Sequence, residues 1–576
     1  MTVDPRGWTI RQFREAYLSG VGVDEVIGAT LAMLAAAPDG VLIGTPLYDR
    51  AGEEVESIAD VDPASLPLYG IPYIVKDNID VAGVETTAGC PGFATIAGSD
   101  ATVVARLRAA GAIVVGKANL DQFATGLVGT RSPFGTPENV LRPELVPGGS
   151  SCGSAVAVAL GLVPFSIGTD TAGSGRIPAG LNGVVALKPT LGRFSTAGIV
   201  PAVRRVDCPS LFARCIDDLA VAASAMSGTD PLDALSRSIV PVRPLRWPPR
   251  VGVPQVWPGD LELDDEVGKG FGVAVQRLAH LGAIIVPIDI TPALELGEML
   301  YGSALVAERT AAVGESVAGD VEGLDPTVAA IIAGGTGFTA VDAYRGEYRL
   351  AELRAACASS WSGVDVVALP TASILATLRA VRADPFGVNR TLGRLTSFVN
   401  LADAACVVVP FGDNIPAGLQ LIAPAWHDED LLALGQSYTD ESLASAPKSC
   451  AIVVVGAHLD GQPLNHQLTD RGAWCRTRTT TSPHYRLHAL AGTTPPKPGL
   501  RRVGGGEAGA SIEVEVWSIG LTEFGSFVAA VPPPLCIGSI ELADGSWHKG
   551  FLCEPWALDG GLDITDFGGW RAYLSS

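Results

Sequence analysis

The sequence predicts an α/β layered protein followed by a smaller, β-rich unit, and three observations predict it. Short apolar runs alternate with helix-spaced stretches to about residue 230 and resume after it, the pattern of strands layered with helices. The apolar period then stops in YTDESLASAPKSC, residues 438–450, which is polar and carries a proline. Beyond it, SIEVEVW at 511–517 sets Ile512, Val514 and Val516 on one face, as a half-buried strand does.

In order along the chain, Thr9-x-x-Gln12 reads as a capping box with Ile10, Phe13 and Tyr17 behind it at helical spacing. A second helix is expected over Asp24–Ala36. Ile71–Val75 (IPYIV) is a run of the kind a buried strand makes, Thr102–Gly111 reads as a helix and Ala112–Val115 as the strand after it. The Pro- and Arg-rich stretch Val240–Arg250 is expected to be a surface connection. The alternation then returns, with a helix over Asp264–Leu281 and strands at Ala283–Ile288, Val364–Leu369 and Ala405–Pro410. These elements divide the chain into a domain at 1–440, a linker at 441–450 and a second domain at 451–576, which opens with a strand at Ile452–Val455.

Hydrophobic residues make up 47% of the 576 and charged residues 18%, a composition that can bury a core. Forty basic against 61 acidic side chains leave a net charge of −21, which argues against nucleic acid or an anionic membrane as the main partner. MTVDPRGWTIRQF has no apolar core of a secretion signal, and Ala155–Gly168 is too short to span a bilayer. Ten scattered cysteines with no C-x-x-C pair suggest reduced thiols and a cytoplasmic setting, with no metal site and no organic cofactor indicated.

The chemistry concentrates in residues 147–190, PGGSSCGSAVAVALGLVPFSIGTDTAGSGRIPAGLNGVVALKPT. Two Gly/Ser-rich loops flank a small-residue helix over Gly153–Gly161, so they can meet at one end of a sheet. Neither a Walker pattern nor G-x-G-x-x-G is present, which disfavours nucleotide binding. A serine nucleophile needs a base, and all seven histidines lie at 280 or beyond. GSSCG fits G-x-S-x-G with Ser151 at its centre, but nothing marks the histidine that an α/β-hydrolase elbow would need. The other base is a lysine stripped of its proton by burial, and Lys76, after IPYIV, is the best placed.

The set K-D-N, GGSS-x-GS, G-T-D-x-x-G-S-x-R-x-P and A-L-K-P-T resembles the amidase signature family over roughly residues 5–440. The resemblance implies a mixed central sheet covered by helices, Ser174 as nucleophile, Ser150 (24 positions earlier) as the cis-peptide bridging serine and Lys76 as base. It places an oxyanion hole at the amides of Thr171, Ala172, Gly173 and Ser174, with Asp170 and Arg176 bracing the loop. Cys152 stands where the family usually has Gly or Ser, and reads as packing.

Asn119–Gly135 (NLDQFATGLVGTRSPFG) and the segment around Tyr301 and Arg309 resemble the allophanate hydrolase branch of that family. The resemblance implies a small-molecule amide substrate with a carboxylate, held by Tyr301 and Arg309 with the backbone near Gly126 in the pocket. The two side chains stand eight positions apart and can share a helix face. Residues 451–576 resemble that branch's C-terminal domain and, more weakly, the γ-glutamylcyclotransferase-like fold. There His458, with His466 as rival, is the candidate proton donor for decarboxylating N-carboxycarbamate, and Lys497 is a loop charge. The family also implies a homodimer and a separate urea carboxylase upstream. The alternative is another amide hydrolase or glutaminase-type subunit with a non-catalytic docking domain.

Overall fold

Thr9 caps the first helix, Ile10–Leu18, through the expected capping box, and Ile10, Phe13 and Tyr17 are its buried face. This is a computed structural model, and it describes residues 3–240, 242–259, 261–412, 414–440, 449–471, 473–504, 507–558 and 560–576. The helices at Val23–Ala35, Thr102–Ala109 and Asp265–His280 fall within a residue or two of expectation. The first unit comprises Met1–Ile239 and Arg246–Ala444.

Its core is a ten-stranded mixed sheet, ordered Ile113–Ala118, Pro72–Lys76, Phe165–Asp170, Cys208–Ala213, Val185–Lys188, Ala404–Pro410, Gly418–Pro424, Val366–Pro370, Arg250–Pro254 and Ile284–Ile288. The first three are mutually parallel, and so are the last three. The middle joins are antiparallel. Most of these strands are buried along their whole length, which is why they read as continuous apolar runs. The helix Cys152–Ala159 is buried at every position but its last. A side chain on its Gly153 would collide with the Val41 carbonyl and the Asn119 backbone, so the small-residue sequence lets the helix press onto main chain.

The second unit comprises Val240–Leu245 and Ser445–Ser576. Part of the expected surface connection thus belongs to this unit. The expected linker at 441–450 lies outside the described residues as far as residue 448, and Ser449 and Cys450 already belong to the strand Ser449–Val454. The unit holds a five-stranded sheet, ordered Trp474–Thr480, Glu513–Gly520, Ser449–Val454, Trp547–Cys553 and Leu535–Glu541, and a three-stranded sheet. The expected half-buried strand differs from the observed one. Glu513–Gly520 is buried on both faces, because Glu515 and Trp517 on the second face are covered as well. Glu515 tolerates this by accepting from Arg571, Trp517 Nε1 and the Asp460 amide.

Candidate active site

Lys76 closes the strand Pro72–Lys76, whose parallel neighbour Phe165–Asp170 is in register through Val75 and Ile167. That register brings Thr169 to the lysine. Lys76 Nζ lies 2.7 Å from Ser150 Oγ and 2.8 Å from Thr169 Oγ1, and the side chain is fully buried. Burial, which disfavours the ammonium, pulls its pKa down to about 7. Sequence reasoning missed Thr169; the signal available was its place one residue before Asp170 on an adjacent strand.

Ser150 follows a cis Gly149–Ser150 peptide on the loop before the Cys152–Ala159 helix. Ser151 ties the two serine loops together. Its amide donates to the Ser174 carbonyl, and its hydroxyl donates to the Thr169 carbonyl at 3.1 Å. Occupied and buried in this way, Ser151 is a clamp. Burial pushes the Cys152 thiol up, and its Sγ meets only the Asn119 carbonyl, 3.5 Å away, in keeping with packing.

Ser174 is buried, and its hydroxyl donates to the Gly126 carbonyl at 3.4 Å. Among the described residues no hydrogen bond joins Ser174 to Ser150. Gly126 has to be glycine, since a Cβ there would collide with the Asp121 carboxylate. Asp121 in turn accepts from the amides of Val128, Gly129 and Arg131, folding the 121–131 loop around itself.

The expected oxyanion hole needs one correction. The Gly173 amide donates to Asp170 Oδ1 at 3.1 Å and is already used. The amides of Thr171, Ala172 and Ser174 meet no acceptor among the described residues. Gly173 has φ +128°, and a Cβ there would collide with Thr396.

Arg176 braces the loop as expected. Its guanidinium donates to both Asp170 oxygens, to Gln420 Oε1, to Asn400 Oδ1 and to the Thr396 carbonyl. No N–H remains for a substrate. Burial pushes the Asp170 acid up, but the Arg176 guanidinium outweighs it and holds the carboxyl below its usual range.

Tyr301 and Arg309 meet, though not along one helix. The helix Thr291–Gly302 ends after Tyr301, a short turn at Ala304–Val306 intervenes, and Arg309 sits on the next helix, Ala307–Val313. Arg309 lies over the Tyr301 ring, 5.2 Å from its centroid, and donates to Tyr301 Oη at 3.4 Å and Thr125 Oγ1 at 2.7 Å. It is 1% exposed, with its Nε buried and unpartnered. Thr125, one residue before Gly126, is the second site residue that sequence reasoning missed.

His458 lies in the loop after Ser449–Val454 and is 8% exposed. It stacks on Phe551 with ring centroids 4.8 Å apart, packs edge-on against Phe527, and Nε2 lies 3.0 Å from Gln467 Oε1. Burial lowers its pKa, and Lys497 and His466 add to the effect. Burial thus favours the neutral imidazole, and the expected proton-donating role falls to the protonated form. His466, the rival, is exposed and its Nδ1 lies 2.9 Å from the Pro463 carbonyl. Among the described residues no cluster of three or more His, Cys, Asp or Glu side chains could hold a metal ion, and no helix is long and apolar enough to cross a membrane.

A buried lysine beside two serine loops at the carboxyl ends of parallel strands defines a serine–lysine amide hydrolase in class. The Amidase family profile matches residues 44–432, and the chain belongs to that family. Residues 450–575 match the allophanate hydrolase C-terminal domain. The urea amidolyase of Lachancea kluyveri is 43% identical over an alignment of 547 residues that covers 88% of this chain and 30% of that one. The chain therefore spans less than a third of that relative's length. A glutamyl-tRNA(Gln) amidotransferase chain of Thermus thermophilus is 35% identical over 69% of this chain and 89% of its own. The solved allophanate hydrolase of Kluyveromyces lactis superposes with a TM-score of 0.75 at 37% identity, over 99% of this chain and 100% of that one.

Proposed function

We propose that this protein hydrolyses allophanate to ammonia and carbon dioxide, in two stages. One run of contacts carries the reading. Arg309 grips Thr125, Thr125 precedes Gly126, and the Gly126 carbonyl receives the Ser174 hydroxyl. A buried guanidinium with no carboxylate partner among the described residues thus stands close to the nucleophile. A short substrate with a carboxylate at one end and an amide at the other spans both, and guanidinium suits the carboxylate.

In the first stage substrate draws the Ser174 hydroxyl from Gly126 toward Ser150. Neutral Lys76 takes the Ser150 proton as Ser150 takes that of Ser174, and Ser174 attacks the amide carbonyl. Charge developing on that oxygen faces the amides of Thr171, Ala172 and Ser174. The relay returns the proton to the leaving nitrogen, ammonia departs, and water releases N-carboxycarbamate by the reverse path. In the second stage that dicarboxylate loses carbon dioxide and its nitrogen takes a proton, which we assign to the imidazolium form of His458, and the carbamate left breaks down in water to ammonia and carbon dioxide. We read the domain at 451–576, which matches the allophanate hydrolase C-terminal domain, as related to the γ-glutamylcyclotransferase-like fold, with His458 on the loop after its first strand. We place the reaction in the cytoplasm, in a homodimer, with a urea carboxylase supplying the substrate.

The test is ammonia release from allophanate beside a Ser174→Ala variant. Activity that falls roughly 10³-fold or more in the variant supports the reading. Turnover of glutamine but not allophanate overturns it in favour of the amidotransferase-type alternative.

A further inference from the structure

We propose that Arg131 is a second cation of the carboxylate subsite, facing the substrate through Nε–H; this rests on the reading of a carboxylated amide as substrate. Arg131 stands in the TRSPFG stretch and is 3% exposed. Its Nη1 donates to the Thr125 carbonyl at 3.0 Å and its Nη2 to the Pro385 carbonyl at 2.7 Å. Its Nε is buried without a partner, as is that of Arg309.

Two guanidiniums therefore converge on one residue, Arg131 on the carbonyl of Thr125 and Arg309 on its hydroxyl. Neither has an ion pair with a carboxylate among the described residues. Asp121, the acid of its own loop, feels the Arg131 charge, but both its oxygens are taken by backbone amides, one of them that of Arg131 itself. Burying two like charges close together is costly unless an anion arrives between them. Arg131 also lines a cavity of about 330 Å³ together with Tyr301, Asn389 and Arg390, so the space beside it opens toward the tyrosine that Arg309 touches. In this proposal the substrate carboxylate accepts from Arg131 Nε beside Arg309 Nε, two donors that the fold leaves without a partner. The Thr125 and Pro385 carbonyls hold the rest of Arg131 in place.

The experiment measures binding of malonamate, which keeps an amide and a carboxylate, and of its neutral diamide, malonamide. The protein is the full chain carrying Ser174→Ala, alone and with Arg131→Gln or Arg131→Lys. The expected result is at least a tenfold loss of malonamate affinity with Arg131→Gln, malonamide unchanged within twofold, and substantial recovery with Arg131→Lys. Equal losses for both ligands make Arg131 a structural tie and overturn the proposal, as does no loss for either. Should Arg131→Gln fail to fold, the structure of the Ser174→Ala protein with malonamate decides. A carboxylate oxygen within hydrogen-bond distance of Arg131 Nε supports the proposal, and one held by Arg309 alone overturns it. If the Ser174→Ala parent shows no preference for malonamate over malonamide, the substrate reading itself fails, separately from any effect of Arg131.

Discussion

Burial lowers the pKa of both Lys76 and His458, and the two keep different company. Lys76 faces two hydroxyls, Ser150 and Thr169, so its neutral amine has a proton donor in reach. His458 faces two phenyl rings and one side-chain amide. Burial sets the protonation state, and the neighbours decide whether that state has anything to react with. A third group completes the contrast: Lys117 is equally buried, but Asp77 stands 3.2 Å from its Nζ and the Ile79 carbonyl accepts from it. Burial lowers the pKa of Lys117 too, but Asp77 opposes it and favours the cation, whereas the hydroxyls around Lys76 suit the base of the proposed relay.

The largest effect that would break this contrast is at Lys76. Replacing it with alanine should lower kcat by roughly 10³-fold, within the range for a positioned acid–base group. A loss under tenfold, measured by ammonia release, would remove Lys76 from the relay. The pH profile comes next. In the proposed relay the active form of Lys76 is the neutral amine, so kcat/KM for ammonia release should rise with pH and level off above about 7. In the proposed decarboxylation the active form of His458 is the protonated one, and burial has lowered its pKa. Its step should weaken as pH rises, and N-carboxycarbamate should accumulate in alkaline buffer. Replacing His458 with asparagine should reproduce that accumulation at every pH while leaving ammonia release unchanged. Carbon dioxide release that keeps pace in the variant would make the histidine a packing residue. The smallest expected effect is at Thr169. Replacing it with valine removes one acceptor from the ammonium form, so the acid limb of the profile should move to lower pH with kcat reduced about tenfold. An unmoved limb would show that Thr169 only fills space.

The motifs around Lys76, Ser150 and Ser174 were legible because each sits at a strand end or a glycine-rich turn, where residue identity is dictated by backbone. Thr169 and Thr125 were not legible. Their roles come from strand register and from a loop folded around Asp121, and neither leaves a local pattern. The eight-residue spacing of Tyr301 and Arg309 led to a right pairing by a wrong route, since a break between two helices brings them together. The second face of the Glu513–Gly520 strand misled for a related reason. Glu513 and Glu515 look solvent-facing in sequence, and Glu515 is buried only because Arg571 and Trp517 reach it. Gly173 shows the same limit in miniature, as a backbone N–H carries no letter in the sequence to say that Asp170 has claimed it.

The hydroxyl of Ser174 rests on the Gly126 carbonyl, away from the relay that would activate it. A cell is full of ordinary amides, glutamine and protein side chains among them, and a permanently armed serine would acylate itself on any that wandered in. Under the proposed mechanism the safety catch and the recognition loop are one piece of chain. A molecule that does not engage the Thr125–Gly126 segment would leave the catch on, and selectivity would be exercised at the moment of arming as well as at the door.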